Sequence, residues 1–226
     1  MRISAIEGHR LWAPIYDSGL NPILALERRT MGELLKPLQP SKVIDVACGT
    51  GQWLLHFQQA GSEVFGCDAC EEMLKETTKI PSLRRRVTLA QAESIPFLSG
   101  TADLVLCSIS LGYFPDIHRV FREFARVSKP GGLVAVSDLH PDALASGWIR
   151  SFKLGDLRYE LENYPSSVSE IGAAASRAGL ASKVCREIYF GAPELPVFEQ
   201  SGKSKSFTAA TCTPALFISL WEKQCY

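Results

Sequence analysis

The sequence predicts an α/β protein built on a parallel sheet that helices cover on both faces. Short strands of aliphatic and β-branched residues alternate with amphipathic helices, and this alternation is typical of consecutive βαβ units. Residues 43–46 form the first apolar strand, and a turn with two glycines, Gly49 and Gly51, follows it directly. The later strands are equally apolar, which indicates that both faces of the sheet are buried.

The predicted elements follow one another without an internal repeat or an interdomain linker. Asn21 and Pro22 open the first long helix, because asparagine caps helices and proline suits the first helical position. Strands are predicted over 43–46, 63–67, 86–90, 103–108 and 133–137, with helices over 52–60, 71–79 and 117–128. A helix over 166–178 and strands over 184–190 and 215–221 complete the chain, and a long exposed loop is predicted over 191–214.

Composition limits the partners and the compartment. Lys+Arg and Asp+Glu both number 24, and this zero net charge gives no reason to expect a nucleic-acid or anionic-membrane partner. No apolar run reaches the ~20 residues that a membrane helix needs, and the N-terminus lacks the features of a signal peptide. Seven scattered cysteines favour free thiols in a reducing cytoplasm over a disulfide framework. Cys67 and Cys70 have C-x-x-C spacing without a second pair nearby, so we predict no metal site.

The glycine turn indicates a ligand at the carboxyl edge of the sheet. Glycines directly after a first parallel strand let the backbone approach a ligand closely. Asp68 ends the second strand, where a carboxylate can accept hydrogen bonds from both hydroxyls of a ribose. The dinucleotide fingerprint G-x-G-x-x-G/A is absent, because its third small residue would be Leu54 counted from Gly49, or Gln52 counted from Ala47. The residues therefore indicate an adenosine-type ligand and argue against NAD.

Five segments between residues 40 and 140 match, in the right order, the motifs of one enzyme family. They are Asp-Val-Ala-Cys-Gly-Thr-Gly at 45–51, Phe-Gly-Cys-Asp at 65–68 followed by Met73-Leu74, Gln-Ala-Glu-Ser-Ile-Pro-Phe at 91–97, Ala-Asp-Leu-Val at 102–105 and Arg-Val-Ser-Lys-Pro-Gly-Gly at 126–132. The chain thereby resembles class I S-adenosylmethionine-dependent methyltransferases, of the small-molecule type found in the ubiquinone/menaquinone-methyltransferase-like branch. The resemblance implies a single Rossmann-like, doubly wound sheet of seven strands, in the order 3-2-1-4-5-7-6 with strand 7 antiparallel.

The resemblance also implies S-adenosylmethionine as the cofactor, S-adenosylhomocysteine as its product, and a set of binding residues. Asp45 would hold the ammonium group, Asp68 the ribose, and Met73 would pack on the adenine, while Ser108 would lie near the methionine carboxylate or the sulfonium. The complete set is Asp45, Ala47, Gly49, Gly51, Asp68, Ala69, Met73, Gln91, Ala92, Glu93 and Ser108. Ala47 stands where the family commonly has glycine, and Gln91 stands where it usually has Asp, which leaves the contact with the adenine amino group less defined.

Methyl transfer from a sulfonium needs little covalent help from the protein, so the catalytic candidates are few. Positioning supplies much of the rate, and a base is needed only if the acceptor carries a proton. His140, just past the fifth strand, is either that base or a hydrogen-bonded loop histidine. Tyr16 in the N-terminal arm is either a lid over the cofactor or a packing residue. We interpret the other histidines, His9, His56 and His118, as structural.

We expect one domain in three parts: a helical arm or lid over 1–40, a cofactor-binding core over 41–140, and substrate-side elements with the terminal antiparallel strands over 141–226. The expected reaction is methyl transfer to an oxygen, nitrogen or carbon of a small molecule, and the acceptor and the oligomeric state stay open. Aromatic residues after the fifth strand, Trp148, Phe152 and Tyr159, point either to a partly hydrophobic acceptor or to core packing. Two alternatives are a cofactor-binding fold that catalyses a cyclisation or rearrangement, and a non-catalytic binding protein.

Overall fold

A computed structural model describes residues 1–225 of the chain. Its strands are β1 (Arg2–Ile3), β2 (Lys42–Val46), β3 (Glu63–Asp68), β4 (Val87–Leu89), β5 (Ala102–Ser108), β6 (Ser128–Leu139), β7 (Ser151–Leu154), β8 (Leu157–Leu161), β9 (Leu180–Ile188) and β10 (Leu216–Lys223). Its α-helices are α1 (Ala5–Trp12), α2 (Pro22–Leu35), α3 (Gln52–Gln59), α4 (Glu71–Thr77), α5 (Ile117–Val127), α6 (Pro141–Ala145), α7 (Val168–Arg177), α8 (Leu195–Gln200) and α9 (Phe207–Ala210).

Seven of these strands form one sheet in the order β4-β3-β2-β5-β6-β10-β9. Neighbours from β4 to β6 are parallel, whereas β10 runs antiparallel to both β6 and β9. When the strands of this sheet are numbered along the chain, the order is 3-2-1-4-5-7-6, and strand 7, which is β10, is antiparallel to its neighbours. The fold class and strand order that the resemblance implied are therefore confirmed.

Both faces of the sheet are buried because successive side chains of each strand enter different cores. In β5, Val105 and Cys107 pack into the core that contains the α5 residues Phe121 and Phe124. The alternate residues of β5, Leu104 and Leu106, pack into the core formed with α2 and α3. This two-sided burial explains the continuous apolar character of the strands.

A small second sheet, in the order β1-β8-β7, is a feature that the sequence did not predict. The hairpin of β7 and β8 pairs Phe152 with Tyr159, and β1 adds to β8 in parallel. Phe152 stacks on Trp12 of α1 with ring centroids 4.9 Å apart. The strands are too short to show a period in the sequence, yet they anchor α1 beside the sheet.

The segment 191–214 differs from the predicted exposed loop. It contains α8 and α9, and Phe198 and Ala210 from these helices are buried. Phe198 packs edge-on against Phe190 at 4.8 Å. Buried apolar contacts therefore order this segment. The prediction of an exposed loop gave too much weight to the polar residues in its middle.

No helix within residues 1–225 has both the length and the apolar character needed to cross a membrane.

Candidate active site

A cavity of about 1000 Å³ lies at the carboxyl edge of the sheet. The turn after β2, the ends of β3 and β5, the N-terminal arm and the hairpin of β7 and β8 all contribute to its wall. Ligand pockets commonly span ~300–1000 Å³, so this cavity is at the large end of the range. Its size suits a cofactor together with a second small molecule.

The turn after β2 adopts the left-handed backbone that its glycines favour. Gly49 has φ +53°, and a side chain there would meet no atom within 4 Å, because the position faces the open cavity. Ala47 holds a positive φ of 57° without being glycine, which is a strained conformation for an L-residue. Hydrogen bonds secure the turn, since the backbone N–H of Cys48 donates to the Cys67 carbonyl at 3.0 Å.

Gly51 lies between the lining residues Thr50 and Gln52 and serves the packing of the fold, while its role in holding the cofactor stays a prediction. Its φ is +81°, and a Cβ atom there would lie 2.7 Å from Cγ2 of Thr77 and 3.2 Å from Cδ1 of Leu83. Glycine is therefore required by the packing of α4 beneath the turn. The sequence motif placed both glycines correctly but could not show that they face opposite sides.

Asp68 is held by backbone donors at the end of β3. Its Oδ2 accepts a hydrogen bond from the N–H of Gly49 at 2.8 Å, and its Oδ1 accepts one from the N–H of Cys70 at 2.8 Å. Each carboxylate oxygen keeps a further lone pair. Burial raises the pKa of Asp68, and the backbone donors oppose that rise. The carboxylate is thus fixed in place and still able to accept hydroxyl donors.

Two further carboxylates, Asp45 and Glu27, are almost fully buried on the same wall. Burial raises the pKa of Asp45 well above its ordinary value, and the charges of Asp68 and Glu27 raise it further. Burial also raises the pKa of Glu27. Within residues 1–225, no Lys, Arg or His nitrogen lies within 4.0 Å of the Asp45, Asp68 or Glu27 carboxylates. This end of the cavity is therefore acidic: its three carboxylates form no ion pair with the described part of the protein, although the charge of Arg28 acts on Glu27.

Glu27 is a site residue that the sequence analysis missed. Its Oε1 accepts hydrogen bonds from Oγ of Ser108 at 2.7 Å and from Oγ of Ser137 at 2.9 Å, so α2 is tied to the ends of β5 and β6. A signal was available, because Glu27 lies four residues from both Ile23 and Met31, on the apolar stripe of α2. A carboxylate on a buried stripe needs partners or a ligand.

The remaining predicted cofactor residues all line the cavity. They are Ala47, Ala69, Met73, Gln91, Ala92, Glu93 and Ser108. Met73 is buried with Cys70 and Ala13, and Tyr16 packs against this group from the arm. Tyr16 also meets the Trp12 ring edge-on at 4.7 Å. Burial raises the pKa of Tyr16 above its ordinary value, so its hydroxyl stays protonated and is a hydrogen-bond donor at neutral pH.

The imidazole of His140 does not line the cavity, and its role as a catalytic base stays a prediction that its position does not favour. It caps α6, where its Nδ1 accepts a hydrogen bond from the N–H of Asp142 at 3.2 Å. Its Nε2 is buried without a hydrogen-bond partner and lies 3.7 Å from Oε1 of Glu187 on β9. The cap turns the imidazole away from the carboxyl edge, although the backbone of the residue lies at that edge.

His9, which the sequence analysis interpreted as structural, is the histidine that lines the cavity. Its Nδ1–H donates to the carbonyl of Ala5 at 2.8 Å, which leaves Nε2 as an acceptor. Desolvation, aided by the charge of Arg150, lowers the pKa of His9 to about 4, so the ring is neutral at pH 7. The spacing of His9, Trp12 and Tyr16, at three and four residues, was the signal that one face of the arm points inward.

Comparison with known proteins identifies the family. Residues 44–136 match the family model described as a methyltransferase domain. The ubiquinone biosynthesis O-methyltransferase of Bordetella avium (strain 197N) is 30% identical over 212 residues, which cover 86% of this chain and 85% of that relative. The chain belongs to the S-adenosylmethionine-dependent methyltransferases. The resemblance found in its motifs is therefore confirmed.

A second curated relative matches over part of its length, and a solved structure shares the fold. A malonyl-acyl-carrier-protein O-methyltransferase of Methylovorus sp. (strain MP688) is 31% identical over 166 residues, and the match spans 55% of that relative. The chain thus spans little more than half of this relative. Among solved structures, a putative S-adenosylmethionine-dependent methyltransferase from Listeria monocytogenes aligns with a TM-score of 0.68 at 17% identity, over 89% of this chain and 100% of that one.

The family's cofactor fits the acidic end of the cavity. S-adenosylmethionine carries an ammonium group and a sulfonium, and buried carboxylates without an ion pair to a protein cation are the groups that such charges would satisfy. Asp45 and Glu27 are the buried carboxylates that a positive charge of the cofactor would compensate. Asp68 is placed to accept hydrogen bonds from hydroxyl groups. The residues present therefore suit the cofactor that the sequence predicted.

Proposed function

We propose that this methyltransferase transfers the methyl group of S-adenosylmethionine to a small molecule bound in the same cavity. The observation that carries this proposal is the set of three carboxylates, Asp45, Asp68 and Glu27, that line one end of the cavity without an ion pair to a protein cation. Burying ionised carboxylates costs free energy, and an adenosine ligand without a positive charge would not offset that cost. A ligand that carries an ammonium group and a sulfonium offsets it.

The residues of the chain divide the work of holding the cofactor. We infer that Asp45 binds the ammonium group, Asp68 accepts the ribose hydroxyls, and Gly49 allows the backbone close to the methionine moiety. Met73 and Tyr16 would enclose the adenine side, with Ala69, Gln91, Ala92 and Glu93 at its edge. The cofactor, when bound, supplies an electrophilic methyl group.

Methyl transfer then depends on how the chain positions the acceptor. Glu27 is fixed by Ser108 and Ser137 and places negative charge at the ends of β5 and β6, where it would stabilise positive charge on the cofactor. We infer that neutral His9 accepts a hydrogen bond from the acceptor through Nε2. Its pKa of about 4 makes it a weak base, so the proposed chemistry relies on orientation more than on proton removal.

The compartment that we propose is the cytoplasm, as the sequence indicates. All seven cysteines are free thiols, and Cys48, Cys67, Cys70 and Cys107 are buried. Thiols of this kind persist in a reducing environment.

Cofactor turnover tests the proposal. The purified protein should bind S-adenosylhomocysteine in calorimetry, and S-adenosylhomocysteine should be released from S-adenosylmethionine when a suitable acceptor is present. Quinone precursors and malonyl thioesters, suggested by the relatives' names, form a first panel of acceptors. Consumption of a substrate with the cofactor unchanged would instead support a cyclisation or rearrangement. Absence of any binding of S-adenosylhomocysteine would overturn the proposal.

A further inference from the structure

The outer part of the cavity wall carries charge of the opposite sign to its inner end. Four cationic side chains there, Arg28, Lys153, Arg158 and Lys203, come from α2, β7, β8 and the segment after α8. All four are exposed to solvent. Within the described part of the chain, none has an Asp or Glu oxygen within 4.0 Å. The protein has zero net charge, so this local excess of positive charge is not a consequence of composition.

Two of these cations, Lys153 and Arg158, are held close together by the backbone, and the charge of Arg158 also acts on a third, Lys203. Lys153 and Arg158 are direct partners in the antiparallel register of β7 and β8, so their side chains share one face of the hairpin. Like charges directly opposite each other destabilise a strand pair. Lys203 comes from a distant part of the chain, and partial desolvation of its exposed side chain, together with the charge of Arg158, lowers its pKa. The fold thus gathers three cations that repel one another.

A fifth cation in the same wall, Arg150, has a different role. It is buried, its Nη2 donates to Oδ1 of Asp138, and its Nη1 donates to the carbonyl of Ile109 at 3.1 Å. Its guanidinium also lies over the ring of Tyr113, 4.6 Å from the centroid. The charge of Arg150 is therefore already satisfied by the protein. In the described part of the chain, Lys153, Arg158 and Lys203 have no carboxylate partner, and the one side-chain hydrogen bond among them runs from Nε of Arg158 to Oγ of Ser151 at 3.2 Å.

The wall beside these cations is apolar. Trp148, Leu139 and Phe152 line the cavity, although Phe152 lies on the opposite face of the hairpin from Lys153. Trp148 is held by stacking on Phe190, with centroids 6.0 Å apart. The lining of the cavity therefore includes aromatic and aliphatic surface as well as the cations.

We propose that the methyl acceptor is an anion with an apolar body, whose carboxylate or phosphate group is bound by Lys153, Arg158 and Lys203. This inference rests on the proposed function, because it assigns the second ligand of the same cavity. An oxyanion between the three side chains replaces their mutual repulsion with charge-assisted hydrogen bonds, which are stronger than neutral ones. The acidic cofactor end repels the same anionic group and so orients the acceptor.

The test uses the full chain with S-adenosylhomocysteine bound and two probes, inorganic pyrophosphate and malonate. Calorimetry should show saturable binding of at least one probe to the wild-type protein. The double variant Arg158→Gln/Lys203→Gln should bind that probe at least about tenfold more weakly, as expected when charged hydrogen bonds are lost. The matched control Arg85→Gln/Lys205→Gln removes two exposed charges that do not line the cavity, and it should bind the probe as the wild type does.

The outcomes separate the two proposals. Binding of pyrophosphate alone identifies a phosphate-type acceptor, and binding of malonate alone identifies a carboxylate-type acceptor. Equal affinity of the wild type and the Arg158→Gln/Lys203→Gln variant for both probes, or equal loss in the control, overturns the anion site while leaving the proposed methyl transfer intact. Failure of S-adenosylhomocysteine to bind overturns the proposed function itself, and the probes can still be titrated into the ligand-free protein.

Discussion

The two ends of the cavity differ in charge and in how the chain builds them. The cofactor end is acidic, and most of its residues follow β2 and β3 in short, contiguous motifs. The acceptor end is basic, and its cations come from α2, β7, β8 and the segment after α8. Parallel strands bring their carboxyl ends to one edge, so local motifs suffice for the first site. Only the packing of distant elements assembles the second.

This contrast suggests that the two ligands are recognised by opposite strategies. Burial makes the ionised form of these carboxylates unfavourable and raises their pKa values, and a bound cation stabilises that ionised form. Solvent-exposed cations at the entrance of the cavity attract an anion from solution by long-range electrostatics. Substitutions at each end should therefore change the affinity for one ligand and leave the other unchanged.

The largest effect is expected at Asp45. Asp45→Asn should weaken S-adenosylhomocysteine binding by roughly 1.5–3 kcal/mol, or about 10- to 150-fold, because a charged hydrogen bond to the ammonium group is lost. The ligand-free variant should melt higher than the wild type, since it no longer carries a buried carboxylate with a raised pKa. Asp103→Asn, at the amino end of β5, is the control for calorimetry and should bind the ligand normally. Normal binding by the Asp45 variant would remove this residue from the cofactor site.

The second prediction separates the two glycines of the turn. Gly51→Ala should destabilise the fold, by about 1–2 kcal/mol for the left-handed backbone and about 1–3 kcal/mol for overpacking against Thr77. Gly49→Ala carries the same type of backbone strain but has free space, so it should lose less stability and more cofactor affinity. Urea unfolding and calorimetry on both variants measure the difference. Equal stability of the two variants would show that the contact with Thr77 is unimportant.

The third prediction concerns pH. Asp45, Asp68 and Glu27 have raised pKa values in the ligand-free protein, so they gain protons at a higher pH than ordinary carboxyl groups. Protonation removes the negative charge that attracts the ammonium group, so S-adenosylhomocysteine affinity should fall as pH is lowered from about 8 to about 5. The slope can reach about tenfold per pH unit for each proton displaced.

Calorimetry in buffers of different ionisation enthalpy should detect release of protons on binding in this pH range. The raised pKa values also mean that these groups stabilise the ligand-free fold at low pH and lose that contribution as pH rises through the folded-state values. The Asp45→Asn variant should show a flatter affinity profile than the wild type. A flat profile for the wild type would contradict the assignment of the acidic end.

The smallest effect is expected at His140. Its imidazole caps α6 and does not line the cavity, so His140→Ala should leave the turnover number and both ligand affinities near those of the wild type. His9→Ala is the matched comparison, and it should raise the Michaelis constant for the acceptor, because its ring lines the cavity. A loss of turnover of ~10²-fold or more in the His140 variant would support the catalytic role predicted for it from the sequence.

The strand order followed from the family resemblance, whereas the sequence by itself indicated the glycine turn and the positions of Asp45 and Asp68. These features depend on residues that are close in the chain, namely an apolar strand, the turn that follows it and the carboxylate that ends the next strand. The same locality allowed the cofactor to be predicted from five short segments. Ala47, Gly49, Met73 and Ser108 all line the cavity at the positions that these segments implied.

Only the tertiary structure decided where individual side chains point and which distant residues meet. His140 and His9 illustrate the point: a helix cap turned the first away from the edge, while the helix α1 brought the second to it. Glu27 reached Ser108 and Ser137 because α2 packs across the ends of β5 and β6. The cluster of Lys153, Arg158 and Lys203 exists because a hairpin and a later segment close over one cavity, and contacts between elements far apart in the chain leave no period or spacing in the sequence.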